Sequence, residues 1–364
     1  MQKLAGSFYV LMLYDVAEEI NLAALSQMIQ GGPPRREPSF RHPAPDYVKF
    51  ERPPVVETLA PVSLPIAEVF QCRMKYFDYG IVCVELKLDF ETGWEDLVRL
   101  SSRWITAPDL EKAAADLVTA RVKEIEVVLK EKYATFLSED YYVIHLNNAP
   151  DEAGRPLDAV EMEARHGDQI VQMIRGESTP LSKSECAEVL QTRLSYYPTD
   201  LLVTGWVASL VYDTPEGAAP TIQLLEYANA QLLEFRHYDD LLTRVLEGVY
   251  DQLEHKGGVF RRWRMARQAE RLNSMRLEVT EIAERADNAI KFLSDMFYAR
   301  AYRVAAARVG VNDYRFLVDE KLRIAGDLYR SMVDEFHQAR AFVLEVMVVA
   351  ILVIELIHLF HGGW

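Results

Sequence analysis

Cysteine is scarce: Cys72, Cys83 and Cys186 are the only three in 364 residues, odd in number and far apart. Such spacing fits neither a disulfide framework nor a CxxC metal site, and it suits a reducing compartment. Positive charge is in deficit, with 40 Lys and Arg against 55 Asp and Glu and a net charge of −15. That balance excludes broad binding to a nucleic-acid backbone, an affinity built by neutralising phosphates. The signatures of catalysis are missing as well: there is no GxxxxGKS loop, no GxGxxG after a strand, no GxSxG and no Cys–His arrangement. No catalytic residue, cofactor, metal site or small-molecule substrate is therefore read from the sequence. The N-terminus has no leader pattern, since the apolar run Phe8–Tyr14 is only seven residues long and meets Asp15, Glu18 and Glu19 at once.

What is present is globular, with half of the residues hydrophobic and 26% charged, in a chain long enough for roughly two units. Residues 1–216 read as an α+β head built on a mixed sheet. Phe8–Tyr14 is β-rich and Asn21 opens a helix. Nine of the sixteen prolines fall within 31–65, which predicts a long loop with one edge strand at Tyr47–Glu51. Gln71–Phe90 reads as a hairpin turning at Asp78–Tyr79–Gly80, where glycine supplies a positive φ. Helices at Trp94–Arg103 and Pro108–Lys130, a strand at Tyr141–Leu146, helices at Asp158–Arg175 and Ser182–Leu194 and a β-rich run at Leu201–Tyr212 complete the head.

Residues 217–340 change character. Leu225, Ala228, Leu232, Phe235, Asp239, Leu242, Leu246, Val249 and Leu253 recur at alternating spacings of three and four. A second series runs from Leu272 through Leu293 to Met296, and a third from Val318 to Ala339. These are coiled-coil seams, and short Gly-containing connections predict long antiparallel helices forming a stalk. Asp239 stands at a seam position, where one buried polar residue would fix register. Self-association into a homo-oligomer is expected.

Residues 341–361 read as a membrane anchor. Phe342–Phe360 holds sixteen apolar residues in nineteen, about 28 Å of helix at 1.5 Å per residue. Arg323, Arg330 and Arg340 precede it and no Lys or Arg follows, which places the head on the cytoplasmic side of the inner membrane with a single-pass C-terminal transmembrane helix. The third seam continues through Val343, Val346, Ala350, Val353, Ile357 and Phe360, with Glu345, Glu355 and His358 on the opposite side. A charged group at depth costs about 2–3 kcal/mol, so these three are expected at a second subunit interface.

The segments LLEYANAQLLEFRHYDDLL, Leu224–Leu242, and LEVMVVAILVIEL, Leu344–Leu356, resemble the signature segments of the Rmd/YagE family. The resemblance implies an inner-membrane protein that forms large homo-oligomers and, in mitochondrial members, supports translation by holding ribosomes near the membrane. His237 stands where many members carry an aromatic, so that position's chemistry is not carried over.

Two further features bear on partners. Three Glu-x-x-His pairs occur, Glu163/His166, Glu234/His237 and Glu355/His358. The spacing sets both side chains on one helix face, as in di-iron bundles, but the glutamates needed to complete such a site are not in evidence, and solvated faces account for the first two. The densest basic patch, with Lys256, Arg261, Arg262, Arg264 and Arg267 around Trp263, has the make-up of an RNA or lipid-headgroup contact. The sequence thus reads as a membrane-anchored, homo-oligomeric scaffold that tethers ribosomes or other translation components. The alternative is an enzyme or ligand sensor with its pocket in the α+β head.

Overall fold

The computed structural model describes residues 3–30, 53–63, 68–105, 107–254 and 296–361, with seven separate helical positions between 270 and 280. Seven strands form one sheet: β1 Leu4–Ile20, β2 Val55–Ser63, β3 Val69–Tyr76, β4 Ile81–Thr92, β5 Leu129–Asn148, β6 Leu201–Thr204 and β7 Ala208–Tyr212. Their order is β2-β3-β4-β1-β5-β7-β6, and every pairing is antiparallel except β5 with β7. The protein is α+β with a mixed sheet.

Strand β1 explains why the sheet needs cover on both sides. Phe8, Val10, Met12, Tyr14 and Val16 point to one face, while Leu11, Leu13 and Asp15 point to the other, and all are buried. With side chains alternating, an apolar residue at nearly every position means a strand sandwiched between two layers. The first layer is made of α2 Trp94–Trp104, α3 Pro108–Glu124, α4 Ala159–Arg175 and α5 Lys183–Leu190. Leu97, Trp104, Leu110, Ala114, Val118, Met162, Ile170, Ile174 and Val189 join the even residues of β1 in a single core. Phe70 meets Trp104 edge to face with ring centres 5.2 Å apart, and each such buried side chain contributes about 1.5–3 kcal/mol.

Local signals set the element ends. Asn21 Oδ1 accepts from the Ala24 amide at 3.1 Å to start α1, Leu22–Gln30. Asp158 and Glu161 form a reciprocal capping box on α4, which Gly176 closes in the left-handed conformation. Gly80 ends the β3–β4 turn at φ +90°, and a Cβ there would sit 1.7 Å from the Ala17 carbonyl oxygen. No other residue fits that approach to β1.

Two readings of the sequence need correction. The proline-rich stretch 31–65 was expected as a loop, yet its last part is strand β2, paired along Val55–Leu59 with β3. Pro61 is tolerated because β2 is an edge strand and Pro61 falls in its register shift between Leu59 and Val62; the expected strand Tyr47–Glu51 lies outside the described residues. The helix expected over 108–130 ends at Glu124, because Leu129 already begins β5, whose amphipathic first half hides its strand character.

Helices α6 Pro215–Glu254, α7 Met296–Val309 and α8 Val311–His361 follow. The chain divides into two compact units, Met1–His237 with Ala286–Tyr314, and Tyr238–Arg285 with Arg315–Trp364. Unit one holds the sheet, α1–α5, the first half of α6 and α7. In unit two, Leu246 and Val249 pack with Ala325 and Met332, as a heptad seam requires. Lys321 Nζ there donates to Asp239 Oδ1 at 2.5 Å and to Thr243 Oγ1 at 2.5 Å.

The membrane anchor is overturned. Among the described residues, no helix is long and apolar enough to cross a membrane. The expected span falls in α8, where the described side chains run from Leu344 to His358 and include Glu345, Glu355 and His358. The C-terminal transmembrane helix, the tail anchor and the single-pass inner-membrane location with a cytoplasmic head are withdrawn with it.

Candidate functional site

The second face of the sheet lies under the first half of α6, and there the chain buries its polar groups. Thr214 begins the helix, its Oγ1 accepting from the Gly217 amide at 3.2 Å. Helical spacing then brings Glu226, Ala230, Leu233, Glu234 and His237 onto one face. Glu226, Asn229, Gln231 and Glu234 are all buried.

Lys75 on β3 is the centre of the first cluster. Its Nζ lies 2.7 Å from Glu85 Oε2 on β4 and 2.7 Å from Glu226 Oε2 on α6. The side chains are 14%, 7% and 2% exposed, so water screens little of this interaction. Burial alone would push the Lys75 ammonium down, but Glu226 and Glu85 together hold it above the ordinary lysine range. Burial pushes the Glu226 carboxyl up, with Lys75 opposing. Burial, reinforced by Glu226, also raises the neighbouring Cys83 thiol well above its usual range, so Cys83 is no thiolate nucleophile. Glu226 Oε1 and the buried Tyr79 hydroxyl have no hydrogen-bond partner among the described residues.

The second cluster joins β1, β5 and α6. His237 Nδ1 lies 2.7 Å from Asp15 Oδ2, and Tyr133 stacks on the imidazole with ring centres 4.7 Å apart. The strand ladder is irregular here: Asp15 pairs with Leu137 and Ala17 with Lys132, so the four residues Tyr133–Phe136 of β5 oppose Val16. Such an insertion re-aims side chains, and this one carries Tyr133 onto His237. Glu131, just before it, holds φ +49°, the described non-glycine residue with positive φ, a conformation that stores strain. Burial raises the Asp15 carboxyl, opposed by the hydrogen bond and charge of His237. Burial, then Asp15 and Glu234, raise the Tyr133 hydroxyl. The Asp15 carboxylate facing Nδ1 and the Tyr133 ring on its face together fix the orientation of the imidazole. Beside it, Arg236 pairs with Glu139.

On its other side α6 meets α7: the Tyr302 hydroxyl donates to Gln231, whose Nε2 donates to the Tyr227 hydroxyl at 3.3 Å. Arg308 of α7 pairs with Glu188 of α5 and donates to its carbonyl at 3.1 Å.

The residues singled out from sequence fall in different places. Leu232 and Phe235 are buried in unit one, Asp239 and Leu246 lie in unit two, and Leu293 and the basic patch Lys256, Arg261, Arg262, Trp263, Arg264 and Arg267 lie outside the described residues. Glu345, Glu355 and His358 stand on an exposed stretch of α8. Glu234 and His237 are not on a solvated face, since His237 is 14% exposed in its side chain. His166 stacks on Trp94 with ring centres 4.0 Å apart. Among the described residues no group of His, Cys, Asp and Glu could hold a metal ion. Sequence reasoning missed Asp15, Lys75, Glu85 and Tyr133. The available signal was a charged residue at an inward position of an otherwise apolar strand, as Asp15 is in β1 and Glu85 in β4.

Residues 5–219, the sheet with α1–α5 and the start of α6, match the family described as "Uncharacterized protein MJ0711, N-terminal domain". The chain is 19% identical over 188 residues to "Uncharacterized protein MJ0711" of Methanocaldococcus jannaschii, an alignment covering 52% of this chain and 58% of that relative. No solved structure matches. The Rmd/YagE resemblance is therefore corrected. Its first motif, Leu224–Leu242, is divided between the units: Glu226 and His237 face the sheet in unit one, while Asp239 pairs with Lys321 in unit two. By the match over more than half of its length, the chain belongs to the MJ0711 N-terminal domain family.

Proposed function

We propose that the protein is a homo-oligomeric scaffold, assembled through the end of α8. What supports this reading is one observation: from Leu344 to Ile357 eleven large apolar side chains are each about half exposed, among them Val346, Val349, Val353 and Ile357. Together they amount to roughly 1,000 Å² per chain, against about 800 Å² per partner in a standard interface. A contiguous apolar surface of that size marks an interaction site. The occupant that fits is a second copy, because the seam that buries Val318, Ala325 and Met332 inside unit two continues in phase through Val346, Ala350, Val353 and Ile357. The flanking positions Met347, Val349, Ile354 and Leu356 are apolar as well, which favours a bundle of more than two helices. Contact with RNA or a ribosome at Lys256–Arg267 rests on the sequence alone.

Light scattering on the full chain tests the assembly. A mass that is a multiple of 41.7 kDa, falling to one chain in the variant Ala350→Glu with Val353→Glu, supports it; a wild-type monomer refutes it.

A second reading, a proton-transfer or ligand-sensing centre in unit one, is favoured by the Asp15–His237 pair beside the strained Glu131. Screening small carboxylic acids and amines for thermal shift tests it, with His237→Phe as the control. A shift of equal size in both proteins would place binding elsewhere.

A further inference from the structure

We infer that the copies meet through α8 in antiparallel register, centred between Ile351 and Leu352. The inference rests on the homo-oligomer proposed above and adds to it the direction of the helices. The seam positions with described exposure are Val346, Ala350, Val353 and Ile357, and three of the four are large. If the helices ran parallel and in register, each layer would repeat one residue type: valine on valine, alanine on alanine, valine on valine, isoleucine on isoleucine. The alanine layer would be underfilled between two valine layers, and voids in a close-packed interface forfeit contact energy. Reversing one helix about the midpoint pairs Val346 with Ile357 and Ala350 with Val353. Each smaller residue then faces a larger one and the layers differ less in volume than in the parallel arrangement, the alternation that well-packed cores use.

Charge points the same way. Glu345 stands near the start of the apolar stretch, and in a parallel bundle every copy would bring it to the same level. Like charges side by side are destabilising. Antiparallel pairing moves the partner's Glu345 to the level of His358, thirteen residues or about 20 Å away along the axis. Glu355 and His358 lie off the seam by one to two residues, so they do not interrupt the contact.

Disulfide trapping distinguishes the two directions, because a disulfide forms only when Cα atoms lie within about 7 Å. Cys72, Cys83 and Cys186 are buried, and wild-type protein oxidised alongside supplies the background. Chains carrying Ala350→Cys and chains carrying Val353→Cys are made separately and also co-expressed with distinguishable tags. Antiparallel register predicts a covalent dimer only in the co-expressed sample, containing one chain of each kind. Dimers from Ala350→Cys alone or Val353→Cys alone would establish parallel helices and overturn the inference. No cross-linking in any sample, with an oligomer still present by light scattering, would overturn it too, because the contact would then lie off this seam. A wild-type monomer would sink the proposed assembly itself, an outcome distinct from either of these.

Discussion

His237 Nδ1 lies 2.7 Å from Asp15 Oδ2, which ties the end of unit one's portion of α6 to the central strand of the sheet. The carboxylate is 3% exposed and its pKa is raised, by burial first and against the pull of His237. A carboxyl whose folded pKa lies above its unfolded value contributes stability that is full below the unfolded pKa, near 3.9, and is lost as pH rises through the folded one. The His237→Phe variant keeps a ring for Tyr133 to stack on but leaves Asp15 without its partner. It should cost about 1–3 kcal/mol, more at pH 8 than at pH 5, as read by urea unfolding. A cost independent of pH would mean that Asp15 stays protonated throughout.

The Lys75 cluster should respond more strongly. Lys75→Met leaves Glu226 buried without a cation and Glu85 with only the longer contact to Arg73, at 3.9 Å, a loss of about 3–5 kcal/mol. Because the Glu226 carboxyl is already pushed up by burial, acidification should restore part of that loss, and the deficit should be smaller at pH 5 than at pH 8. Adding Glu226→Leu to Lys75→Met should recover much of the stability. Strict additivity in this cycle would show that the three groups do not act as a unit.

The sequence carried the sheet and its helices because they obey local rules: the alternation in Phe8–Tyr14, the capping box at Asp158 and Glu161, the glycine at position 80. It carried much less of the buried polar seam, because Lys75, Asp15 and Glu226 come from β3, β1 and α6, and nothing in the local pattern of any one element requires the others. Leu232 and Phe235 show a related limit. They lie in an unbroken heptad series with Leu246, yet they are buried in the unit that contains the sheet, where a Cβ at Gly310 would lie 4.0 Å from Leu232 Cδ1. The stretch Phe342–Phe360 misled because assigning Glu345, Glu355 and His358 to a subunit interface left its sixteen apolar residues to argue for a membrane span.

Glu131 offers a test of stored strain. At φ +49° a side chain costs about 1 kcal/mol or more that glycine does not incur. Glu131→Gly should therefore raise the unfolding midpoint slightly, whereas Glu131→Ala should not. If both variants destabilise equally, the carboxylate itself matters and strain does not.

Assembly through α8 has a consequence that needs no knowledge of a partner. If copies bind one another when folded and not when unfolded, mass action makes stability depend on concentration, each tenfold increase in the bound fraction's driving concentration adding about 1.4 kcal/mol per binding event. The thermal midpoint of the wild type should rise steadily over a hundredfold range of protein concentration. The Ala350→Glu, Val353→Glu variant should lose that slope, because each copy would have to bury two carboxylates in an apolar seam with no cation facing them in the sequence from Leu344 to Leu356. Glu355→Gln, off the seam, should keep it. Scanning calorimetry of the three proteins side by side decides: a wild-type midpoint that does not move with concentration would separate the exposed apolar stretch from self-association.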